Sequence, residues 1–179
     1  MSAQHVLDFW FKQTPPELWF EQNDALDQQI KQQFGTLHAR AVAGELQDWR
    51  IDAQGRLAEI ILIDQFSRNL YRNQPEAFAH DSMALVLAQE AVQQQLDQQL
   101  PVELRKFLYL PYMHSESLII HQTAMRLFTA LGDEQSLHFE TLHQDIIQRF
   151  GRYPHRNQAL GRTSTAEEIE FLKQPDSSF

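Results

Sequence analysis

The sequence predicts an all-α protein of about eight to ten helices, a number that follows from its 179 residues and the usual mean helix length. Three observations favour this fold class. Apolar residues recur at intervals of three or four, proline and glycine stand near the starts and ends of these stretches, and no segment shows convincing period-two alternation. With 42% hydrophobic and 22% charged residues, the composition is that of an ordinary folded protein. We therefore expect a single all-helical domain over residues 1–179.

Three helices are predicted in the first half of the chain. The segment Asn23 to Ala43 carries an amphipathic pattern and is followed by Gly44, which is a typical helix stop. The next segment, Gly55 to Phe66, is apolar on nearly every face, which fits either a buried central helix or a buried strand; helical neighbours favour the helix. Asp81 is predicted to be the N-cap of the third helix.

Four further helices are predicted in the second half. Two begin with proline in their first turn, Pro101 to Tyr109 and Pro111 to Leu131, and the second would place His114 on one face with His121. The next carries an apolar stripe that Gly151 ends, and the last runs from Ala166 to Lys173 behind a Thr165 capping box.

Bulk charge and composition exclude several classes of protein. The formal net charge is -9, which opposes general attraction to nucleic acid or to anionic lipid. No apolar run approaches the roughly 20 residues that span a bilayer, and the N-terminus does not read as a secretory signal. The absence of cysteine fits a reduced compartment. We expect a cytoplasmic protein that binds neither nucleic acid nor membrane; the sequence does not indicate its oligomeric state.

The most informative segment is an arginine-rich window near the C-terminus. From Ile146 through Ala166 there is no Asp or Glu, yet four arginines and one histidine occur there. Guanidinium groups suit carboxylate and phosphate, so these donors could converge on one anion. Alternatively, they tie helix ends and acidic neighbours together. The predicted ligand-binding residues of this window are Arg149, Arg152, Arg156, Asn157 and Arg162, and His155 is a candidate for proton transfer.

Two earlier segments carry further candidates. Asp64, Arg68 and Arg72 would share a face if their helix continues that far, so Arg68, Asn69 and Arg72 join the predicted ligand-binding set; an Asp64–Arg68 ion pair bracing the helix end is the structural alternative. His114, which would face packed residues in its predicted helix, could act as a general base or a ligand, or could be a core histidine satisfied by one hydrogen bond. Glu116 is a third catalytic candidate, which could orient a histidine.

The chain offers no complete metal or cofactor motif. Glu140 and His143 form one Glu-x-x-His pair, whereas a di-iron bundle needs two such pairs and two further glutamates. Phosphate-loop, dinucleotide and nucleophile-elbow motifs are absent. We expect no metal and no cofactor.

Four blocks, taken together, resemble a known family. They are 6–11, 63–72, 107–116 and 149–157 with 160–162, in an order that covers nearly the whole chain. The chain resembles the DUF924 family, bacterial proteins of unknown function, in which Pro is expected where Ser67 stands. The resemblance implies a tetratricopeptide-like α-α superhelix, although no regular 34-residue repeat can be aligned. It implies no activity.

Two functional hypotheses therefore stand beside a structural one. The first is a protein, either a binding protein or an enzyme, that binds a small anionic ligand through an Arg/His/Asn-rich pocket. The second is a helical scaffold that grips an acidic peptide or protein partner. In the third, the polar blocks build a buried network that holds the helices together.

Overall fold

The computed structural model describes residues 1–175 and 177–178, and it confirms the all-α prediction. Eight α-helices, joined by short 3-10 turns and one π-helical segment, occur in this part of the chain, which contains no strand. The helices are α1 (Ala3–Asp8), α2 (Asp24–Val42), α3 (Ala53–Leu70), α4 (Asp81–Gln93), α5 (Val102–Met113), α6 (Leu118–Leu131), α7 (Glu134–Phe150) and α8 (Ala166–Phe171).

Helix α3 lies at the centre of the fold. It contacts α1, α2, α4 and α5, so its apolar residues are covered on all sides, and Ile61, Leu62 and Ile63 have no exposed surface. This confirms the helical interpretation of the apolar segment. The same burial forces the polar residues of α3 to find partners inside the protein, since an unpaired buried charge is costly. Two carboxylates of α3, those of Glu59 and Asp64, are among these buried groups.

Several helix ends follow local sequence signals. The Asn23 side chain accepts a hydrogen bond from the backbone N–H of Leu26 at 2.9 Å, and Gly151 ends α7 in the left-handed conformation with φ of 68°. Thr165 and Glu168 form the expected capping box of α8. Asp81 differs from the prediction: it is the first residue of α4, and His80 is the N-cap. The Asp81 carboxylate does not cap the helix because it bonds two arginines.

The prediction of one helix from Pro111 to Leu131 is wrong. Pro111 lies inside α5, which ends at Met113, and α6 begins only at Leu118. Proline usually marks a helix start, but here the turn after Pro111 stays in α5 because Tyr112 and Met113 are buried, each with 3% exposure. The chain bends only after this turn, between Met113 and Leu118. His114 and His121 therefore lie on different helix ends and do not share a helix face.

The aromatic N-terminal residues divide between core and surface. Trp10 is fully buried and its ring centroid lies 5.4 Å from that of Phe66, whereas Phe20 is 66% exposed. Within the described residues, no helix has the length and apolar character that crossing a bilayer requires.

Candidate functional site

Polar side chains from distant parts of the sequence meet where α3 ends, α4 begins and α5 ends. We call Asp64, Arg68, Asp81, His114 and Arg156 the Asp81 cluster. Arg68 donates from both terminal nitrogens to the two carboxylate oxygens of Asp81, each at 3.1 Å, and Arg156 donates to Asp81 Oδ2 at 3.0 Å. Two guanidinium groups thus converge on one carboxylate. Arg68 and Arg156, both predicted as ligand-binding residues, are brought together here.

Asp64 and His114 form a second contact of the cluster. Asp64 Oδ1 lies 2.7 Å from His114 Nδ1, and Gln65 donates to Asp64 Oδ2 at 2.6 Å. Burial alone would raise the pKa of Asp64, but its interactions with the adjacent His114 and Arg68 outweigh this effect, so the pKa is lowered. The predicted Asp64–Arg68 ion pair is present, at 3.3 Å. The Asp64 carboxylate is therefore ionised, and it accepts a hydrogen bond from the Nδ1–H of His114.

The pKa of His114 is lowered as well. Burial is the main cause, followed by the charge of Arg68, while Asp64 acts in the opposite direction. The ring is consequently neutral at neutral pH. Its Nε2 bonds no protein atom in the described chain and is not enclosed, and the side chain is 15% exposed. A neutral imidazole with an open nitrogen can accept a proton.

Arg156 is the most enclosed arginine of the cluster. Its guanidinium lies between the rings of Phe78 and Tyr153, 4.6 Å from each centroid, and its side chain is 7% exposed. One terminal nitrogen donates to the carbonyl of His114 at 3.0 Å, whereas Nε is buried and bonds no other described residue. Arg156 thus links the segment after α7 to both α4 and α5.

Glu116 receives two partners from the arginine-rich window. Arg162 donates to both of its oxygens at 2.8 Å, and the backbone N–H of Tyr153 donates at 2.9 Å. Burial would raise the pKa of Glu116, but the hydrogen bonds from Arg162 and Tyr153 lower it. The carboxylate, a catalytic candidate from the sequence, is therefore ionised and holds the window against the turn after α5.

The remaining residues of the window bond acids of α8. Arg152 donates to both oxygens of Glu168 at 2.7 and 2.9 Å, and Asn157 donates to the same carboxylate at 3.3 Å. Arg149 bonds Glu167 at 2.9 Å. The hydrogen bond from Arg152 is the main reason that the pKa of Glu168 falls to about 2. The window contains no acidic residue in sequence, but acidic side chains from other parts of the chain bond its arginines.

The other two predicted ligand-binding residues lie against α2. Arg72 forms a two-pronged ion pair with Asp27, and Asn69 donates to Asp27 at 2.8 Å. Arg72 lies beyond the end of α3. The contacts of this pair are with α2 and with the backbone of Glu21, and none of them joins it to the Asp81 cluster.

The structure also brings together five residues around Tyr153, a grouping that the sequence did not predict. We call them the Tyr153 group: His121, Glu140, His143, Tyr153 and His155. Tyr153 has no exposed surface, and the ring centroids of His143 and His155 lie 5.6 and 5.5 Å from its own. Burial lowers the pKa of both histidines to about 3. His155, one of the three catalytic candidates, is therefore a partly buried neutral ring, and its buried Nδ1 bonds no other described residue.

His121 and Glu140 are a fully buried pair in this group. His121 Nδ1 lies 2.7 Å from Glu140 Oε1, and His121 Nε2 lies 2.8 Å from the carbonyl oxygen of Ser115. A carbonyl oxygen only accepts, so Nε2 carries a proton. A second proton must then lie between Nδ1 and Glu140. The pair is electrically neutral, as its burial requires. The Glu-x-x-His spacing of Glu140 and His143 did not predict that Glu140 pairs with His121.

Two open depressions of the described surface lie away from the Asp81 cluster. One of about 220 Å³ lies beside Arg149, Phe150 and Phe171, and one of about 290 Å³ lies near Asp52 and Gln99. The cluster itself is partly open, with side-chain exposures of 21% for Arg68 and 16% for Asp81. Within residues 1–175 and 177–178, no group of three or more His, Asp or Glu side chains could hold a metal ion.

Comparisons with known proteins indicate the family. The model of the family described as "Bacterial protein of unknown function (DUF924)" matches residues 6–176. A solved structure, that of the protein of unknown function ATU0120 from Agrobacterium tumefaciens, is similar with a TM-score of 0.91 and 38% sequence identity, over 96% of each chain. A comparison with curated proteins finds no match.

Proposed function

The chain belongs to the DUF924 family of bacterial proteins, and we propose that it binds a small carboxylate- or phosphate-bearing ligand at the Asp81 cluster. One observation carries the proposal. Arg68 and Arg156, 88 positions apart by their numbers, aim their donors at a single carboxylate oxygen, Oδ2 of Asp81. Convergent planar donors of this kind are how proteins recognise carboxylate and phosphate.

The cluster keeps one guanidinium donor for an external anion. Arg68 uses its two terminal nitrogens on protein oxygens, which leaves its Nε–H without a bond to another described residue, and its side chain is 21% exposed. The open Nε2 of the neighbouring His114 is a second polar atom available to a ligand. A small ligand would therefore bind against the outer edge of Arg68, and Asp81 would keep the two guanidinium groups in place.

The structural hypothesis has its own support, because each arginine of the predicted site already bonds a carboxylate. In that case the network holds α3, α4, α5 and α8 together and needs no ligand. The scaffold hypothesis, in which the helices form a tetratricopeptide-like groove for an acidic peptide, is favoured by no particular contact of the described residues. We also propose a cytoplasmic location, on the absence of cysteine, and no nucleic-acid partner, on the negative charge of the chain.

The test is a thermal-shift titration with inorganic phosphate, sulfate, succinate and citrate, each against sodium chloride of equal ionic strength. A ligand that binds the native state raises Tm by mass action. The variant is Arg68→Lys, which keeps the charge but loses the planar fork. Its matched control is Arg72→Lys, because Arg72 stands four residues later, makes a similar two-pronged pair and has a similar exposure of 27%.

We expect an anion to raise Tm of the wild type and of Arg72→Lys by several degrees, and to raise that of Arg68→Lys much less. An equal shift in all three proteins would place the anion elsewhere. Absence of any shift across the four anions and across a panel of phosphorylated metabolites and carboxylates would refute the proposal and favour the structural network.

A further inference from the structure

The hydrogen bonds of Asp64 determine which nitrogen of His114 carries its proton. Oδ2 of Asp64 accepts from Gln65 at 2.6 Å, and Oδ1 lies 3.3 Å from a terminal nitrogen of Arg68. Both oxygens therefore face donors, and the carboxylate has no proton to give to His114. The 2.7 Å contact between Oδ1 and Nδ1 requires an Nδ1–H donor. In the neutral ring, the lone pair is then on Nε2.

Asp64 is buried in the central helix, and its position fixes the orientation of the His114 ring. Its side chain is 1% exposed and it stands in the last turns of α3, the central helix of the fold. His114 is the C-cap residue of α5, and its backbone carbonyl accepts a hydrogen bond from Arg156. A carboxylate that orients one imidazole nitrogen while the other faces outward is the arrangement that general-base catalysis uses.

We infer that His114 is a general base, with Asp64 as its positioning residue, and that the ligand of the Asp81 cluster carries a hydroxyl group besides its carboxylate or phosphate. This inference rests on the proposed function for the ligand's anionic group. The hydroxyl O–H bond breaks and an N–H bond forms at Nε2. The electron pair remains on the ligand oxygen, whose negative charge Arg68 stabilises, while Asp64 stabilises the imidazolium. The proton later returns to product or water.

Other charged or titratable groups surround the His114 ring and set its pH response. On α3 they are Asp64 and Arg68, and the remaining ones come from α4, α7 and the segment after α7: Asp81, His143, His155 and Arg156. Arg68 disfavours the imidazolium and Asp64 favours it. Replacement of Asp64 by its neutral isostere should therefore lower the pKa of His114 further, by about one unit or more, because the loss of an adjacent opposite charge has an effect of this size.

The experiment is carbethoxylation by diethyl pyrocarbonate, a reagent for neutral accessible imidazole, with the modified histidines identified by peptide mass mapping between pH 5 and 8. The exposed His5 serves as the reactive control and the fully buried His121 as the protected one. Wild type is compared with Asp64→Asn, whose fold is checked by circular dichroism. Inorganic phosphate and 3-hydroxybutyrate are added as probes at constant ionic strength.

We expect His114 to react, with a midpoint below pH 6.5 that Asp64→Asn moves down by about one pH unit. A His114 as unreactive as His121 would overturn the inference. An unchanged midpoint in Asp64→Asn would overturn the role of Asp64. If His114 reacts as expected but neither probe nor any anion of the thermal screen slows the reaction, the proposed anion site fails while the base is retained.

A second measurement covers the case in which Asp64→Asn does not fold. Ring ¹⁵N spectra of the wild-type protein distinguish the two neutral tautomers of a histidine without any substitution. The inference requires the proton of His114 on Nδ1. A proton on Nε2 in the neutral ring would overturn it.

Discussion

Replacing Arg156 by alanine removes the guanidinium that joins the segment after α7 to α4 and α5. The side chain is 7% exposed, and it bonds Asp81 at 3.0 Å and the His114 carbonyl at 3.0 Å. Hydrogen bonds to a charged group contribute about 1.5 to 3 kcal/mol each. The contacts with the Phe78 and Tyr153 rings, each 4.6 Å from the guanidinium carbon, add about 0.5 to 2 kcal/mol each.

These contributions do not simply add, for two reasons visible in the cluster. Asp81 keeps its two-pronged pair with Arg68, so its charge does not become unpaired. The buried Nε–H of Arg156 has no partner among the described residues, and its removal relieves a desolvation penalty. We therefore expect Arg156→Ala to lower the free energy of unfolding by about 3 to 4 kcal/mol, which is less than the sum of the four contributions.

The assay is urea unfolding followed by circular dichroism at pH 7.5, with the m-value compared between variants so that a change in midpoint reports stability. Arg162→Ala is the matched control: Arg162 also pairs with a carboxylate, but it is 31% exposed and should cost only about 1 kcal/mol. If Arg156→Ala loses no more stability than Arg162→Ala, burial does not decide the strength of these pairs and the reasoning is refuted.

Three further outcomes follow from single features of the structure. In Gly55→Ala the new Cβ would lie 1.9 Å from the Trp49 carbonyl oxygen, so we expect the free energy of unfolding to fall by more than about 2 kcal/mol. In Gly35→Ala nothing lies within 4 Å of the new Cβ, so the free energy of unfolding should rise by about 0.5 to 1 kcal/mol. Equal urea midpoints for the two variants would contradict this. Glu168→Gln weakens the bonds from Arg152 and should increase backbone hydrogen exchange in α8 more than in α2. Acid should destabilise the protein, because burial lowers the pKa of His143 and His155 to about 3 from the ordinary 6.5. The contribution of each histidine to stability is complete above pH 6.5 and is lost as pH falls towards 3, by about 1.4 kcal/mol per pH unit. A urea midpoint that stays constant from pH 7 to pH 5 would refute this.

Local hydrogen bonding explains which parts of the fold were predictable. The Asn23 cap, the Gly151 stop and the Thr165 capping box each involve residues within four positions of one another. The Asp64–Arg68 pair is likewise a contact across one helical turn. The apolar pattern of α3 marked a buried segment for the same reason, since burial on every face leaves few positions for polar residues.

The prediction failed where a distant contact opposed a local preference. Pro111 suggests a helix start, but the packing of the residues around it continues α5 to Met113 and puts the break at His114. Asp81 suggests an N-cap, but Arg68 and Arg156 take its carboxylate. Neither outcome can be read from neighbouring residues, because the deciding partners are far away in the chain.

By itself, the sequence determined the helical class, several helix ends and the four blocks that hold the unusual polar residues, because these depend on periodicity and on bonds between near neighbours. Only the tertiary structure decided how those residues pair. The arginine-rich window finds its acids at Asp81, Glu116, Glu167 and Glu168, all outside it, and His114 finds Asp64 across 50 positions. The physical reason is that a buried charge must be compensated wherever packing places an opposite charge, and packing is a property of the whole chain.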